Sequence, residues 1–205
     1  MPSVFVNYRT EDALQSAVLI ERELSRRFGS AEIFRAGKSV PEGTDFARYI
    51  LRAVQKSDLL LALIGPRWLE APAPGGGRAL DDPDDWVRRE IIEAFDRGLT
   101  VIPVLLDRTS RLSKEQLPDS LVELAGLQNL TLSHRDPDAD LARLARAVRR
   151  VVPHLNDSEA AGEKRRGTAG GAGTGGIHFY ASPRIKGDVV GGDKYSGGAA
   201  GEENE

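Results

Sequence analysis

The sequence predicts an α/β domain in which a parallel sheet is covered by helices on both faces. Three observations carry this. Short apolar runs alternate with amphipathic helical segments five times between residues 3 and 152. One run, Leu59-Leu60-Leu61-Ala62-Leu63-Ile64, is apolar at every position, the mark of a strand buried on both faces. Strand–helix alternation of this kind closes into a doubly wound sheet, because parallel neighbours need crossover helices.

Ser3 to Asn7 is the first strand, and Tyr8-Arg9-Thr10-Glu11-Asp12 is the turn leaving it. A helix follows with Ala13, Ala17, Ile20, Leu24 and Phe28 on one face and Glu21, Arg22, Arg26 and Arg27 mostly outside. Gly29 stops it. Ala31 to Phe34 is the second strand, and residues 35–43 form a loop. Thr44 or Asp45 caps a helix carrying Phe46, Ile50, Leu51 and Val54. Leu59 to Ile64 is the third strand; Gly65 to Leu69 leaves the sheet, and a Pro/Gly-rich loop runs from Glu70 to Pro83. Asp84 or Asp85 caps the next helix, whose buried stripe is Val87, Ile91, Ala94 and Phe95. Val101 to Leu106 is the fourth strand, Gln116 to Ala125 a short helix, Leu127 to Leu132 a fifth strand and Asp138 to Val152 the last helix. The arrangement is flavodoxin-like, a five-stranded parallel sheet. Ligands bind such sheets beyond the carboxyl ends of the strands, where Tyr8, Arg9, the 35–43 loop, Trp68 and Glu90 all fall.

Composition shifts near residue 156, beyond which lie more than half of the 22 glycines. Residues 1–154 read as the folded domain and 155–205 as a Gly-rich, largely disordered tail, unable to bury enough apolar surface to offset its ordering entropy. Within the tail, 177–195 is β-prone, with Ile177-His178-Phe179-Tyr180 and a repeated Gly-Asp. It is either a sticky terminus or a docking peptide for a partner protein. The net charge of -3 and pI near 5.7 argue against non-specific nucleic-acid binding. No cysteine is present, which excludes a thiolate metal site and a cysteine nucleophile and fits a reducing, cytoplasmic setting. No apolar run reaches the roughly 18 residues of a membrane span, so no membrane association is expected.

Glu90 is the residue of chemical interest. Its neighbours three and four positions away are Trp86, Val87, Glu93 and Ala94, none of them basic, whereas Glu93 has Arg89 and Arg97 at helical spacing. A carboxylate at the edge of an apolar stripe is costly unless something outside its helix uses it. It is either a boundary Glu paired with an Arg from another element or a catalytic group. Other motifs fail. Gly37-Lys38-Ser39 lacks the earlier P-loop glycine, because Glu32 stands there. Gly171 to Gly176 spells a dinucleotide fingerprint inside low-complexity sequence, with no strand before it. His134, His154 and His178 are scattered, with no metal-ligand spacing, and the serines lack a nucleophile-elbow context.

Taken in order, the segments resemble a known family. Val4-Phe5-Val6-Asn7-Tyr8-Arg9-Thr10-Glu11-Asp12 resembles the first box of Toll/interleukin-1 receptor (TIR) domains, with Asn7 where a small Ser is more usual. Ile33-Phe34-Arg35 with Gly43 and Phe46 resembles the second box and its BB loop, with Arg35 replacing the more usual Asp. Asp58 to Leu69 resembles the third strand and its exit. Asp85-Trp86-Val87-Arg88-Arg89-Glu90-Ile91 resembles the segment carrying the catalytic glutamate of NAD-cleaving TIR domains. Val101 to Val104 resembles the strand after it.

The resemblance, over about residues 3–152, implies a TIR fold of the bacterial, NAD-cleaving type, with NAD as substrate and no other cofactor or metal. Nicotinamide leaves NAD as a neutral molecule, so no general acid is needed. A single carboxylate on the ribose hydroxyls stabilises the positive charge that develops there. That role would fall to Glu90. Tyr8, Arg9, Phe46 and Trp86 would line the substrate pocket. Read from the residues alone, Tyr8 and Arg9 are equally a loop-anchoring pair, Trp86 a core aromatic and Phe46 a core residue. Lys38 and Pro41 read as interface or lid residues. TIR domains often assemble before acting, which implies self-association through the 35–43 loop. The product would be ADP-ribose or a cyclic form, in bacterial defence or cell-death signalling. The competing readings are a non-catalytic TIR scaffold and a receiver-like regulator; the latter is weakened by Asn7 and Gly65 standing where phospho-acceptor chemistry needs Asp.

Overall fold

The computed structural model describes residues 2–36, 43 and 45–155. Five strands, β1 (Val4–Asn7), β2 (Ile33–Arg35), β3 (Leu59–Ile64), β4 (Thr100–Leu106) and β5 (Leu130–Leu132), form one sheet in the order 2-1-3-4-5, with every pair parallel. The helices are α1 (Thr10–Phe28), α2 (Phe46–Gln55), α3 (Trp86–Asp96) and α4 (Pro137–Val151). The expected doubly wound, five-stranded sheet is present. The tail reading, the 177–195 motif, Lys38 and Pro41 lie outside the described residues.

Alternation along the strands sorts the core into two layers. Val4 and Val6 of β1 and Leu59, Leu61 and Leu63 of β3 pack with the apolar faces of α1 and α4. Phe5 of β1 and Leu60, Ala62 and Ile64 of β3 face α2 and α3, with Ile50, Val54, Val87 and Ile91. Asn7 shares the Phe5 side of the strand, so its side chain is delivered to α3. Trp68, placed by sequence at the ligand-binding end, is fully buried in this second layer beside Leu80. Leu80 sits in the long 70–83 loop and anchors it, while Arg78 ties the loop to Asp81 and to the Gln116 carbonyl.

Caps follow the sequence expectations. Asp45 accepts from the Arg48 backbone N–H and Asp85 from that of Arg88. Gly29, at φ 100°, ends α1 in a conformation that side-chain-bearing residues avoid. Three expectations need correction. The 116–125 helix is two 3-10 segments, Lys114–Gln116 and Asp119–Gly126, separated by Pro118, whose missing N–H breaks a continuous α ladder. β5 is only Leu130–Leu132. Glu21 is buried at 4% exposure rather than outside, because Arg35 of β2 reaches it (Nε to Oε2, 3.9 Å) and the Ser25 hydroxyl donates to it.

Gly65, the first residue after β3, is required for close approach. A Cβ there would lie 2.4 Å from Asp12 Oδ2 and 2.6 Å from Asp12 Cγ. The Asp12 carboxylate accepts from the Arg67 backbone N–H at 3.1 Å and so holds the β3 exit to the start of α1. Gly65→Ala is expected to displace that carboxylate and destabilise the domain by about 1–2 kcal/mol, read as a lower denaturation midpoint in urea. An unchanged midpoint would show that Asp12 gives way freely.

Candidate active site

At the carboxyl ends of β1 and β2, a cavity of about 280 Å³ opens between α2 and α3. Its lining includes Tyr8, Arg9, Ala36, Phe46, Trp86 and Glu90. Residues leaving β1 and β2 and side chains of α2 and α3 build it, on the carboxyl side of the sheet where such folds bind ligands. All five residues singled out from the sequence therefore stand around one cavity, but their environments differ.

Glu90 is on the face of α3 that meets β1 and is 5% exposed. Its Oε2 accepts from Asn7 Nδ2 at 2.6 Å, and the same nitrogen donates to the Val87 carbonyl at 3.1 Å. Among the described residues no Lys, Arg or His bonds to the Glu90 carboxylate, so it is not a boundary Glu paired with an Arg. Burial pushes its pKa up to about 8; the Asn7 hydrogen bond holds it down, and the negative charge of Asp85 adds to the rise. A carboxyl that titrates near neutrality in a cleft is a signature of functional use.

Arg9 is 7% exposed, and its guanidinium forms a two-pronged pair with Asp85: Nη1 to Oδ2 at 2.8 Å and Nη2 to Oδ1 at 2.9 Å. Asp85 is also the N-cap of α3. Arg9 thus borders the cavity while its charge locks the β1 exit to the start of the Glu90 helix, the anchoring geometry rather than a free anion binder. Tyr8 accepts from Arg35 Nη1 at 3.2 Å, and that guanidinium lies 6.0 Å from the Tyr8 ring centroid.

Phe46 and Trp86 form the rim. Their rings meet edge to face at 88° with centroids 5.7 Å apart, and the Arg89 guanidinium covers the Trp86 ring at 4.4 Å. Neither is a core residue. Phe46 is 47% exposed, because the first turn of α2 overhangs the sheet although its spacing from Ile50 and Val54 matches the buried stripe. Asn7 is the site residue that sequence reasoning missed. The available signal was strand alternation, which sets it on the Phe5 side facing the Glu90 helix.

A second cluster lies beyond β4 and β5. His134 Nδ1 is 2.7 Å from Asp107 Oδ1, and Ser16 Oγ is 3.4 Å from His134 Nε2. The order mimics a nucleophile triad. Ser16, however, is 2% exposed on the inner face of α1, inside a helix whose N–H groups are spent on its own ladder, so no oxyanion site accompanies it. The described residues hold no group of three or more potential metal ligands and no helix long and apolar enough to cross a membrane.

The family model described as TIR domain matches residues 4–146. The chain belongs to the TIR domain family. A curated relative, the NAD(+) hydrolase sarm1 of Drosophila melanogaster, is 27% identical over 152 residues, which is 71% of this chain and 10% of that protein. The chain therefore spans about a tenth of this relative's length. Among solved structures, the TIR domains of the activated Roq1 resistosome recognising the effector XopQ share the fold with a TM-score of 0.52 and 13% identity, over 74% of this chain and 99% of theirs. In this TIR domain the Asp85 cap, Trp86 and Glu90 lie within 4–146 and on one helix, so the cavity belongs to the family domain itself.

Proposed function

We propose that this TIR domain hydrolyses NAD, with Glu90 as the catalytic carboxylate. One observation carries the reading: a buried carboxyl with no cation partner among the described residues lines a cavity rimmed by two aromatic rings. The bond between the nicotinamide nitrogen and the ribose C1′ breaks, and its electron pair leaves with nicotinamide, which departs neutral. Positive charge remains on the ribose, and ionised Glu90 stabilises it from the ribose hydroxyls. Water adds at C1′ and loses a proton, giving ADP-ribose; attack by a group of the same molecule instead gives a cyclic form. Trp86 and Phe46 offer faces for the nicotinamide or adenine ring. The relative named as an NAD(+) hydrolase supports the chemistry.

The setting proposed is cytoplasmic signalling in bacterial defence or cell death, with activity switched on by self-association through the 35–43 loop. The TIR domains of the Roq1 resistosome, which share the fold, occur in an assembly. Nicotinamide release per molecule is therefore expected to climb with protein concentration. A rate per molecule that stays constant across a wide concentration range would remove the assembly step from the account.

The scaffold reading has its own support. Burial pushes the Glu90 pKa up to about 8, which favours the neutral acid at pH 7, as for a structural carboxyl. The two readings separate on NAD: a scaffold self-associates without releasing nicotinamide.

A further inference from the structure

We propose that Asn7 is a positioning residue that biases Glu90 towards its ionised form and fixes it against the cavity wall, an inference that rests on the NAD reading above. Asn7 is the last residue of β1 and is fully buried. Its amide orientation is set by chemistry. The Val87 carbonyl can only accept, so the amide nitrogen must face it at 3.1 Å. The second hydrogen of the same nitrogen then points at Glu90 Oε2, 2.6 Å away. Both amide hydrogens are spent, and Oδ1 is left buried with no hydrogen-bond partner among the described residues.

The geometry commits both donor hydrogens of the amide to α3, one to the Val87 carbonyl and one to the Glu90 carboxyl. A hydrogen bond from N–H to an ionised carboxylate is shorter and stronger than one to the neutral acid. Asn7 therefore biases Glu90 towards the anion that the developing ribose charge requires. Its grip on Val87, one turn before Glu90, also sets where on the wall that carboxylate stands.

No other described group supplies this bias. From α3, the Asp85 charge opposes ionisation, and Arg89 lies over the Trp86 ring. From the β1 exit and the start of α1, Tyr8, Arg9 and Glu11 line the same cavity, with the Arg9 guanidinium held by Asp85. From α2, the lining residues Phe46 and Ile50 are uncharged. Lys38 and Glu42 lie outside the described residues.

The test is a titration of the Glu90 side-chain carboxyl by carbon NMR in the full chain, with glutamate labelled and the resonance assigned by its loss in Glu90→Gln. Wild type is expected to titrate near pH 8. In Asn7→Ala the midpoint should move up by about one pH unit, a tenfold fall in the ionised fraction near neutrality. Asn7→Asp, close in size but with a second acidic group in place of the donor, should move it further in the same direction. If the Asn7→Ala midpoint coincides with wild type, Asn7 is only a brace and the inference fails. Should neither variant fold, the wild-type protein still decides. The Asn7 side-chain amide resonances must shift in step with the Glu90 carboxyl, and amide signals that stay flat through that titration overturn the proposal. None of these readouts uses NAD, so absence of NAD turnover would count against the proposed function and leave this result standing. Where turnover is measured, the acid limb of kcat/KM should follow the same midpoints.

Discussion

Replacing Glu90 by Gln is expected to stop nicotinamide release and, at the same time, to make the protein more stable at alkaline pH. The first effect follows from removing the carboxylate that the proposed mechanism sets against the ribose. Loss of a preorganised electrostatic group of this kind lowers rates by about a hundredfold to a thousandfold or more. The second follows from burial. The carboxyl of Glu90 titrates at about 8 in the folded domain against an ordinary value of 4.5. A group whose folded pKa is raised contributes stability that is fully present below the unfolded value and is lost as pH rises through the folded one. The wild-type domain should therefore lose stability between pH 4.5 and about 8 on account of this residue and level off above that. At about 1.4 kcal/mol per pH unit, the ceiling is about 5 kcal/mol. Glu90→Gln removes the buried charge, and a gain of about 1–2 kcal/mol, within that ceiling, is expected above pH 8. Gln keeps an oxygen to accept from Asn7. Denaturant melts of both proteins at acid and alkaline pH check this. A variant that is less stable than wild type at every pH would mean that Glu90 is held for the fold, not in spite of it.

The second large effect is on the Arg9–Asp85 pair. Both side chains are substantially buried, at 7% and 12% exposure, and two short hydrogen bonds join them. Arg9→Ala strands the Asp85 carboxylate beside the raised carboxyl of Glu90 and loosens the N-cap of α3. Breaking one side of a buried pair costs about 3–5 kcal/mol. Arg9→Lys should recover only part of this, since an ammonium cannot reproduce the fork. A double-mutant cycle with Asp85→Ala isolates the pair: a coupling energy above about 1.5 kcal/mol marks a structural clamp. Coupling near zero, with a loss of NAD affinity in Arg9→Ala, would instead make Arg9 a substrate contact.

Much of this fold is legible because its strands are apolar runs and its caps are Asp and Gly. The continuous run from Leu59 to Ile64 leaves no alternative to a central strand, and Asp45 and Asp85 start their helices where spacing places them. What escapes is set by partners distant in sequence. Glu21 looks like a surface residue until Arg35, on the neighbouring β2, reaches it. Phe46 follows the helical stripe of Ile50 and Val54, yet the end of the sheet falls short of it and leaves it at the cavity rim. Glu90 could be singled out from the absence of helical cations, whereas strand alternation gives only the side of the sheet on which its partner lies. Asn7 is 83 residues away, and only the parallel register of β1 against β3, with α3 crossing the sheet, brings the two together.

Nicotinamide release from NAD by the concentrated 205-residue chain, wild type beside Glu90→Gln, tests the central claim most directly. Release by wild type and none by the variant is the predicted result. If wild type releases none, even with crowding agents or on a templating surface, the cavity is not an NAD-hydrolysing site, and the scaffold reading takes its place.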